Sequence, residues 1–208
     1  MINKLLAERG QGRGKELHKI KSFSFVCTAE IAREAAILIK SLRFFHDQPV
    51  YITCDEETRS YLEKEGFDDL HFDLSATKEA LAEIKDEYFK EKFQNIDTFH
   101  KAECIFKKME CMERAIRKYG NTFFLDADIV VVGSLEEEIT KDLVLSPHYH
   151  PPWKSHMTSY CGIFNAGYVF CSDEKFPQLW RDLYLNHSSF YEQECMNYFC
   201  EYYDIDIF

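Results

Sequence analysis

Two periods of apolar residues run along this chain. Phe23–Thr28 is a short apolar run with strand character, and Ile31–Phe45 takes helical spacing with Ala35, Leu38, Ile39 and Leu42 on one face. Val50–Cys54 predicts a second strand, Glu56–Glu65 a second helix and Leu70–Phe72 a third strand. Lys78–Phe93 has the pattern of a charged amphipathic helix. Phe99–Tyr119 predicts a long helix with Gly120 as its C-cap. Thr122–Leu125 reads as a buried strand running into Asp126, and Ile129–Val132 as another, stopped by Gly133. Leu143–Ser146 and Phe164–Phe170 are further strands, separated by a His-, Pro- and aromatic-rich loop over Pro147–Tyr160. Lys175–Asn186 and Tyr191–Tyr202 are the last helices. Met1–Lys21 is basic and dotted with Gly, which suggests a short helix and a loose arm. There is no repeat or linker, so residues 1–21 are read as an arm and 22–208 as one domain.

Strands alternating with helices predict an α/β, Rossmann-like domain with a mixed, mostly parallel sheet and helices on both faces. Ligands of such sheets sit beyond the carboxyl ends of the strands. That rule places Thr28, Asp55 and Asp126–Asp128 on one rim.

Composition narrows the partners. A net charge of −11 counts against nucleic acid, which needs a basic footprint, but not against a small phosphorylated ligand. The eight cysteines form no CxxC pair, so zinc spacing is absent, and free thiols in a reducing cytoplasm are expected. Met1–Lys21 lacks a signal-peptide pattern, and no apolar run approaches membrane-spanning length.

Asp126-Ala127-Asp128 is the most informative stretch, because two carboxylates interrupt an otherwise apolar run from Phe123 to Val132. Charges beside a core are costly unless paired. In an extended segment, residues two apart face the same way, so both carboxylates can converge on a hard cation, Mg2+ or Mn2+. Turn residues between two strands account for the same aspartates. In the long helix, Lys108 has Cys104, Ile105, Cys111 and Met112 at its i±3 and i±4 positions, which puts it in the buried stripe. It either snorkels or aims a cation into the cleft. Lys101 is a milder case, while Lys107, Arg114, Arg117 and Lys118 read as a solvated face.

In the second half, Asn165-Ala166-Gly167 places small residues where backbone can approach a ligand, or where a turn leads into a strand. Ser189 and Glu192 match a capping box for the last helix, and Gln193 has no capping duty. His148, Tyr149, His150, Trp153 and His156 crowd one loop, suited to stacking and hydrogen bonding to a sugar or to forming a lid.

Several of these segments, in this order, resemble the GT-A nucleotide-diphospho-sugar transferases, especially the glycogenin-like family 8 glycosyltransferases. Phe25–Thr28 is similar to their opening strand and nucleotide loop, and Val50–Asp55 to their second strand. Lys108–Glu110 leading to Asn121–Asp128 resembles their helix-to-DxD segment. Phe164–Gly167 resembles their F-N-x-G motif, and Glu192-Gln193 their D-Q or E-Q pair. The resemblance implies a GT-A fold and transfer of a sugar from a nucleoside-diphosphate sugar, UDP-sugar by family default, to an acceptor that the sequence does not name, whether glycan, lipid or protein. It implies Mn2+ or Mg2+ on Asp126 and Asp128, with Lys108 adding charge stabilisation. Thr28, Ala29 and Asp55 would lie on the nucleoside, and Asn165, Ala166, Gly167 and Gln193 around the sugar. Glu192 would be a carboxylate base, if capping does not already occupy it. Family members often add a histidine metal ligand from a C-terminal segment, which this sequence does not offer before Phe208. Either the chain is a fragment or another group completes the metal site. A GT-A-like domain that binds a sugar nucleotide or a protein partner without turnover is the alternative that this leaves open. A DxD phosphohydrolase is another, but such enzymes place the motif near the N-terminus and follow it with Gly-Thr. A nucleotidylyltransferase would need a Gly-rich, Arg-containing loop where Thr28–Ile31 stands.

Overall fold

A computed structural model describes residues 17–76, 96–135, 139–158, 162–186, 192–201 and 203–207, with backbone only for 76, 96–104, 157, 185 and 186. Lys78–Phe93, Ser189 and the side chain of Lys101 lie outside the described residues.

Seven strands form one sheet: β1 (Phe23–Cys27), β2 (Val50–Cys54), β3 (His71–Asp73), β4 (Thr122–Leu125), β5 (Leu143–Pro147), β6 (Phe164–Cys171) and β7 (Asp206–Ile207). Their order is β3-β2-β1-β4-β6-β5-β7. The first four are parallel, β6 is antiparallel to both β4 and β5, and β7 is parallel to β5. The helices are α1 (Ala32–Arg43), α2 (Glu56–Lys64), α3 (Ile96–Tyr119), α4 (Phe176–Asn186) and α5 (Glu194–Phe199).

Alternation along the strands divides the core. Phe23, Phe25 and Cys27 of β1 and Phe123 and Leu125 of β4 face one side, where α1 packs Ala35, Leu38, Ile39 and Leu42. Phe124 and Val26 face the other, against Phe106, Met109, Met112 and Ile116 of α3 and Phe176, Trp180 and Leu183 of α4. Helices therefore cover both faces, which is why the parallel strands are apolar on both sides.

Local chemistry sets the boundaries. Asp55 caps α2 through Thr58 N–H at 2.7 Å. Gly120, at φ +93, ends α3, a conformation in which a side chain is costly. The turn after it is tied to the segment before β1: Asn121 Oδ1 accepts from Lys21 N–H at 2.8 Å, and Ser22 Oγ–H donates to the Asn121 carbonyl at 2.7 Å. The end of the arm is not loose, since His18 bridges antiparallel to Ile139 and Ile20 is buried.

Three expectations need correction. Ile129–Val132 is not a strand: it has no ladder partner, Val130 and Val132 point outward, and the Val131 N–H is satisfied by Ser41 Oγ at 3.0 Å. Lys107 is not on a solvated face; it is buried and paired with Glu110 at 2.8 Å. Arg114, partly exposed, reaches across to Asp73 of β3. Among the described residues the last helix runs only over Glu194–Phe199, shorter than its pattern, and the capping box expected from Ser189 lies outside them.

Candidate active site

The cleft lies at the carboxyl ends of β1 and β4, where the strand order predicts it. It encloses about 290 Å3 and is lined by Val26, Cys27, Thr28, Ile31, Ile105, Lys108, Phe124, Asp126, Ala127 and Asp128. The two aspartates thus share a cleft, but not by the extended geometry expected. Asp126–Asp128 forms a turn closed by Ile129 N–H donating to the Asp126 carbonyl at 3.1 Å. Ala127 is buried under the turn and Asp128 is exposed at the mouth.

Asp126 is fixed from several sides. Its N–H continues the β4–β6 ladder by one residue, donating to the Gly167 carbonyl at 2.8 Å. Its side chain lies over Gly167, where a Cβ would fall 2.0 Å from Oδ2, so the glycine is demanded by space. Its Oδ1 stands 3.0 Å from Lys108 Nζ.

Lys108 is the hub. Its side chain is 11% exposed, and Nζ also reaches Glu192 Oε1 at 3.2 Å and the Ala166 carbonyl at 3.4 Å. Burial pulls the ammonium pKa down, but Asp126 and Glu192 outweigh that and hold it above the ordinary lysine value. The lysine stays charged while buried, with its three donors aimed at three acceptors. The apolar stripe around it in α3 foretold this burial; snorkelling to water is excluded. Glu192 is turned towards Lys108. Its carboxylate pairs with Lys108, and its carbonyl accepts from Trp180 Nε1–H at 3.0 Å.

Gln193 links this hub to the next loop. Its Oε1 accepts from Ala166 N–H at 3.3 Å, and its Nε2 lies 3.2 Å from His148 Nδ1. A backbone N–H can only donate, so the atom facing it is the amide oxygen, and the other end is an NH2 donor. His148 Nδ1 must therefore accept, which puts the proton of the neutral ring on Nε2. Burial, and after it the neighbouring His150, hold the His148 pKa below the usual histidine value, so that neutral form is favoured. Asn165 Oδ1 accepts from Gly167 N–H at 2.8 Å and shapes the same turn.

Thr28 lines the cleft. Ala29 and Asp55 do not, although they sit beside it: Ala29 N–H donates to Asp55 Oδ2 at 3.1 Å, clipping the end of β1 to that of β2. Sequence reasoning missed Val26, Ile31, Ile105 and Phe124 as lining residues, and His148 as a partner of Gln193. Ile105 and Lys108 are one helical turn apart, so the first of these was available from spacing. The pairing across 45 residues between Gln193 and His148 carries no local signal.

The donors suit a hard divalent cation. Carboxylate oxygens from Asp126 and Asp128 border one cleft, and Mg2+-type ions commonly take one or two carboxylates and complete their shell with water and substrate phosphates. Among the described residues, no cluster of three or more His, Cys, Asp or Glu offers an all-protein cage.

No family model matches the sequence, and no curated protein matches it significantly. The structure does have solved counterparts. The galactosyltransferase LgtC, in complex with donor and acceptor sugar analogues, matches with a TM-score of 0.57 at 15% identity, over 89% of this chain and 72% of that one. An active-site glutamine-to-glutamate mutant of LgtC gives 0.56 at 14% identity over the same shares. The glycosyltransferase GlyE of Streptococcus pneumoniae TIGR4 gives 0.51 at 13% identity, over 92% of this chain and 45% of that one. At such identities the likeness is one of fold: the chain has the GT-A nucleotide-sugar glycosyltransferase fold.

Proposed function

We propose that this protein is a glycosyltransferase that takes a sugar from a nucleoside-diphosphate sugar, UDP-linked in our reading, and passes it to an acceptor. The observation that carries this is the buried Lys108 ammonium, paired with Asp126 on the floor of a cleft whose mouth holds Asp128. Most of the lining besides these three is apolar, which suits a site that must keep water from a transferable sugar.

Mn2+ or Mg2+ would be held by Asp126 and Asp128 and would supply charge neutralisation for a departing diphosphate. The chain's own groups have separate tasks. Lys108 places a fixed positive charge within the low-dielectric floor, where it is worth more than in water. Glu192 orients that ammonium and is committed to it, so its part is positioning and not proton abstraction. Thr28 borders the nucleoside side, with Ala29 and Asp55 holding that loop in place. Asn165, Ala166, Gly167 and Gln193 border the sugar, with the Gln193 amide oriented by Ala166 and His148. Among the described residues no helix is long and apolar enough to cross a membrane. The free thiols of Cys27, Cys54 and Cys111 are buried, and burial pushes their pKa values up to about 12, so they serve as core and not as nucleophiles.

The test is thermal stability with UDP, GDP or no nucleotide, each with and without Mn2+, for the wild type and for an Asp126→Ala/Asp128→Ala variant. A ligand that binds the folded state raises the melting temperature by mass action. The expected result is a UDP shift that requires Mn2+ and is lost in the variant, with slow donor hydrolysis by the wild type. Binding without hydrolysis or transfer would favour a non-catalytic sugar-nucleotide module. No shift with any nucleotide would overturn the donor site.

A further inference from the structure

Five exposed apolar side chains fall on one face of the molecule. Ser41 of α1 is buried beneath the Ile129–Val132 segment, whose Val131 N–H donates to Ser41 Oγ at 3.0 Å. Ile37, Phe44 and Phe45 stand at the i−4, i+3 and i+4 positions of Ser41, so they are its neighbours on the helix surface. Val130 and Val132 flank the other end of the same hydrogen bond. Phe44 is 83% exposed and Val132 88%, and Ile37, Phe45 and Val130 are each exposed by 40% or more. A second tie, from Leu135 N–H to His46 Nε2 at 3.0 Å, fixes the segment along the end of the helix. The face is therefore built before any partner arrives, and it begins two residues after Asp128.

Its size matches half of a dimer interface. The exposed parts of the five side chains amount to roughly 500 Å2, at the upper end for the largest apolar patch of a monomer. Homodimer interfaces are about 65% apolar, so such a patch with its polar rim comes to about 800 Å2, the area each partner gives to a stable complex. The charges suit a copy of the same chain. Arg33 lies one helical turn before Ile37, and Asp47 lies just beyond Phe44. Both are exposed, and neither has an ion-pair partner among the described residues. Lys40, between them, is already neutralised by Glu65 at 3.1 Å and brings no unpaired charge. A net charge of −11 disfavours an anionic lipid surface as the occupant.

We propose that this face joins two copies of the chain in a two-fold dimer. An axis passing between Ile37 and Phe44 sets the two α1 helices antiparallel. Each Ile37 then packs on the partner's Phe44, and each Arg33 meets the partner's Asp47. Such an interface is self-complementary: the apolar centre meets itself, and the unpaired charges at either end meet their opposites. Burial of Phe44 and Val132 in this way removes from water the two most exposed apolar side chains of the face. The dimer stands independently of what the cleft binds.

Sedimentation velocity of the full chain from about 1 to about 100 μM tests this. The expected particle has twice the mass of the chain. Phe44→Ala weakens the association by about 30-fold or more, as loss of a central aromatic does. Phe44→Asp and Val132→Asp give monomers with the circular dichroism of the wild type, because both side chains already lie in water in the single chain. Arg33→Asp weakens the dimer by about tenfold through two rim contacts, and adding Asp47→Arg restores it. A wild type that stays monomeric at about 100 μM overturns the proposal. So does a dimer that persists in Phe44→Asp, or a double variant no tighter than Arg33→Asp alone. A monomer that sediments with phosphatidylserine vesicles would assign the face to a membrane and overturn it equally.

Discussion

Gly167→Ala probes the floor of the cleft with a single methyl group. A Cβ built on Gly167 would lie 2.0 Å from Asp126 Oδ2 and 2.5 Å from its Cγ, where contacts under 3.0 Å are essentially never seen. Gly167 is not among the glycines at positive φ, so alanine suits its backbone and the effect comes from contact alone. The carboxylate must retreat by about 1 Å, which pulls Oδ1 away from Lys108, now 3.0 Å distant. Overpacking costs about 1–3 kcal/mol. With its side chain 40% exposed, Asp126 can swing outward, so the low end applies. A loss of about 1 kcal/mol corresponds to a fall of about 2–4 °C in Tm for a chain of this size. Function suffers more, since a misplacement of about 1 Å at a reacting centre costs on the order of 100-fold. The assay is Tm together with donor turnover and the Mn2+-dependent UDP shift. Gly133→Ala is the control, because nothing lies within 4 Å of its Cβ position and its φ is ordinary. A Gly167→Ala protein with wild-type turnover would refute the claim that the Asp126 position matters.

Two further outcomes follow from the buried charges. Lys108→Met strands Glu192, 11% exposed, without its cation and is expected to destabilise the fold by about 3–5 kcal/mol; adding Glu192→Gln should restore part of that in chemical denaturation, and strict additivity would show that the two do not interact. His148, its pKa lowered by burial and by His150, contributes stability that is full above the ordinary histidine value of about 6.5 and is lost as the pH falls through that value towards the lower folded one. An NMR titration of its ring should place the midpoint below that of an exposed histidine, and a midpoint at or above it would contradict the neutral tautomer held by Gln193.

Local pattern was enough for most of the sheet. The alternation in Phe23–Cys27 and the helical spacing of Ala35, Leu38, Ile39 and Leu42 reach the core they implied, because their burial is decided by period alone. Ile129–Val132 misled because β-branched residues after a strand look like a strand. No neighbour supplies the ladder there, and what holds the segment is a serine on α1. Lys108 was readable from its i±3 and i±4 neighbours. Its partners were not, since Glu192 and Ala166 come from far along the chain and depend on how α5 and β6 meet α3. On sequence alone Glu192 fits a local capping pattern or a carboxylate base, and its ion pair with Lys108 leaves no local signal. The decisive fact is that Lys108 is buried, and a buried ammonium demands more than one acceptor.

That demand also explains why the two aspartates are unequal. In an extended segment they would be interchangeable ligands, side by side. In the observed turn Asp126 is held by a ladder hydrogen bond, by the empty space over Gly167 and by Lys108, whereas Asp128 stands exposed at the mouth. One carboxylate is thus preorganised and the other is free to adjust. Positive charge arriving at the mouth weakens the hold of Lys108 on Asp126 by simple repulsion. Glu192, at 3.2 Å, and the Ala166 carbonyl keep the ammonium matched when that happens. If the site takes the proposed cation, a lysine with a single acidic partner would be left buried and unpaired by it. The second carboxylate, Glu192, keeps the ammonium paired whatever happens at Asp126.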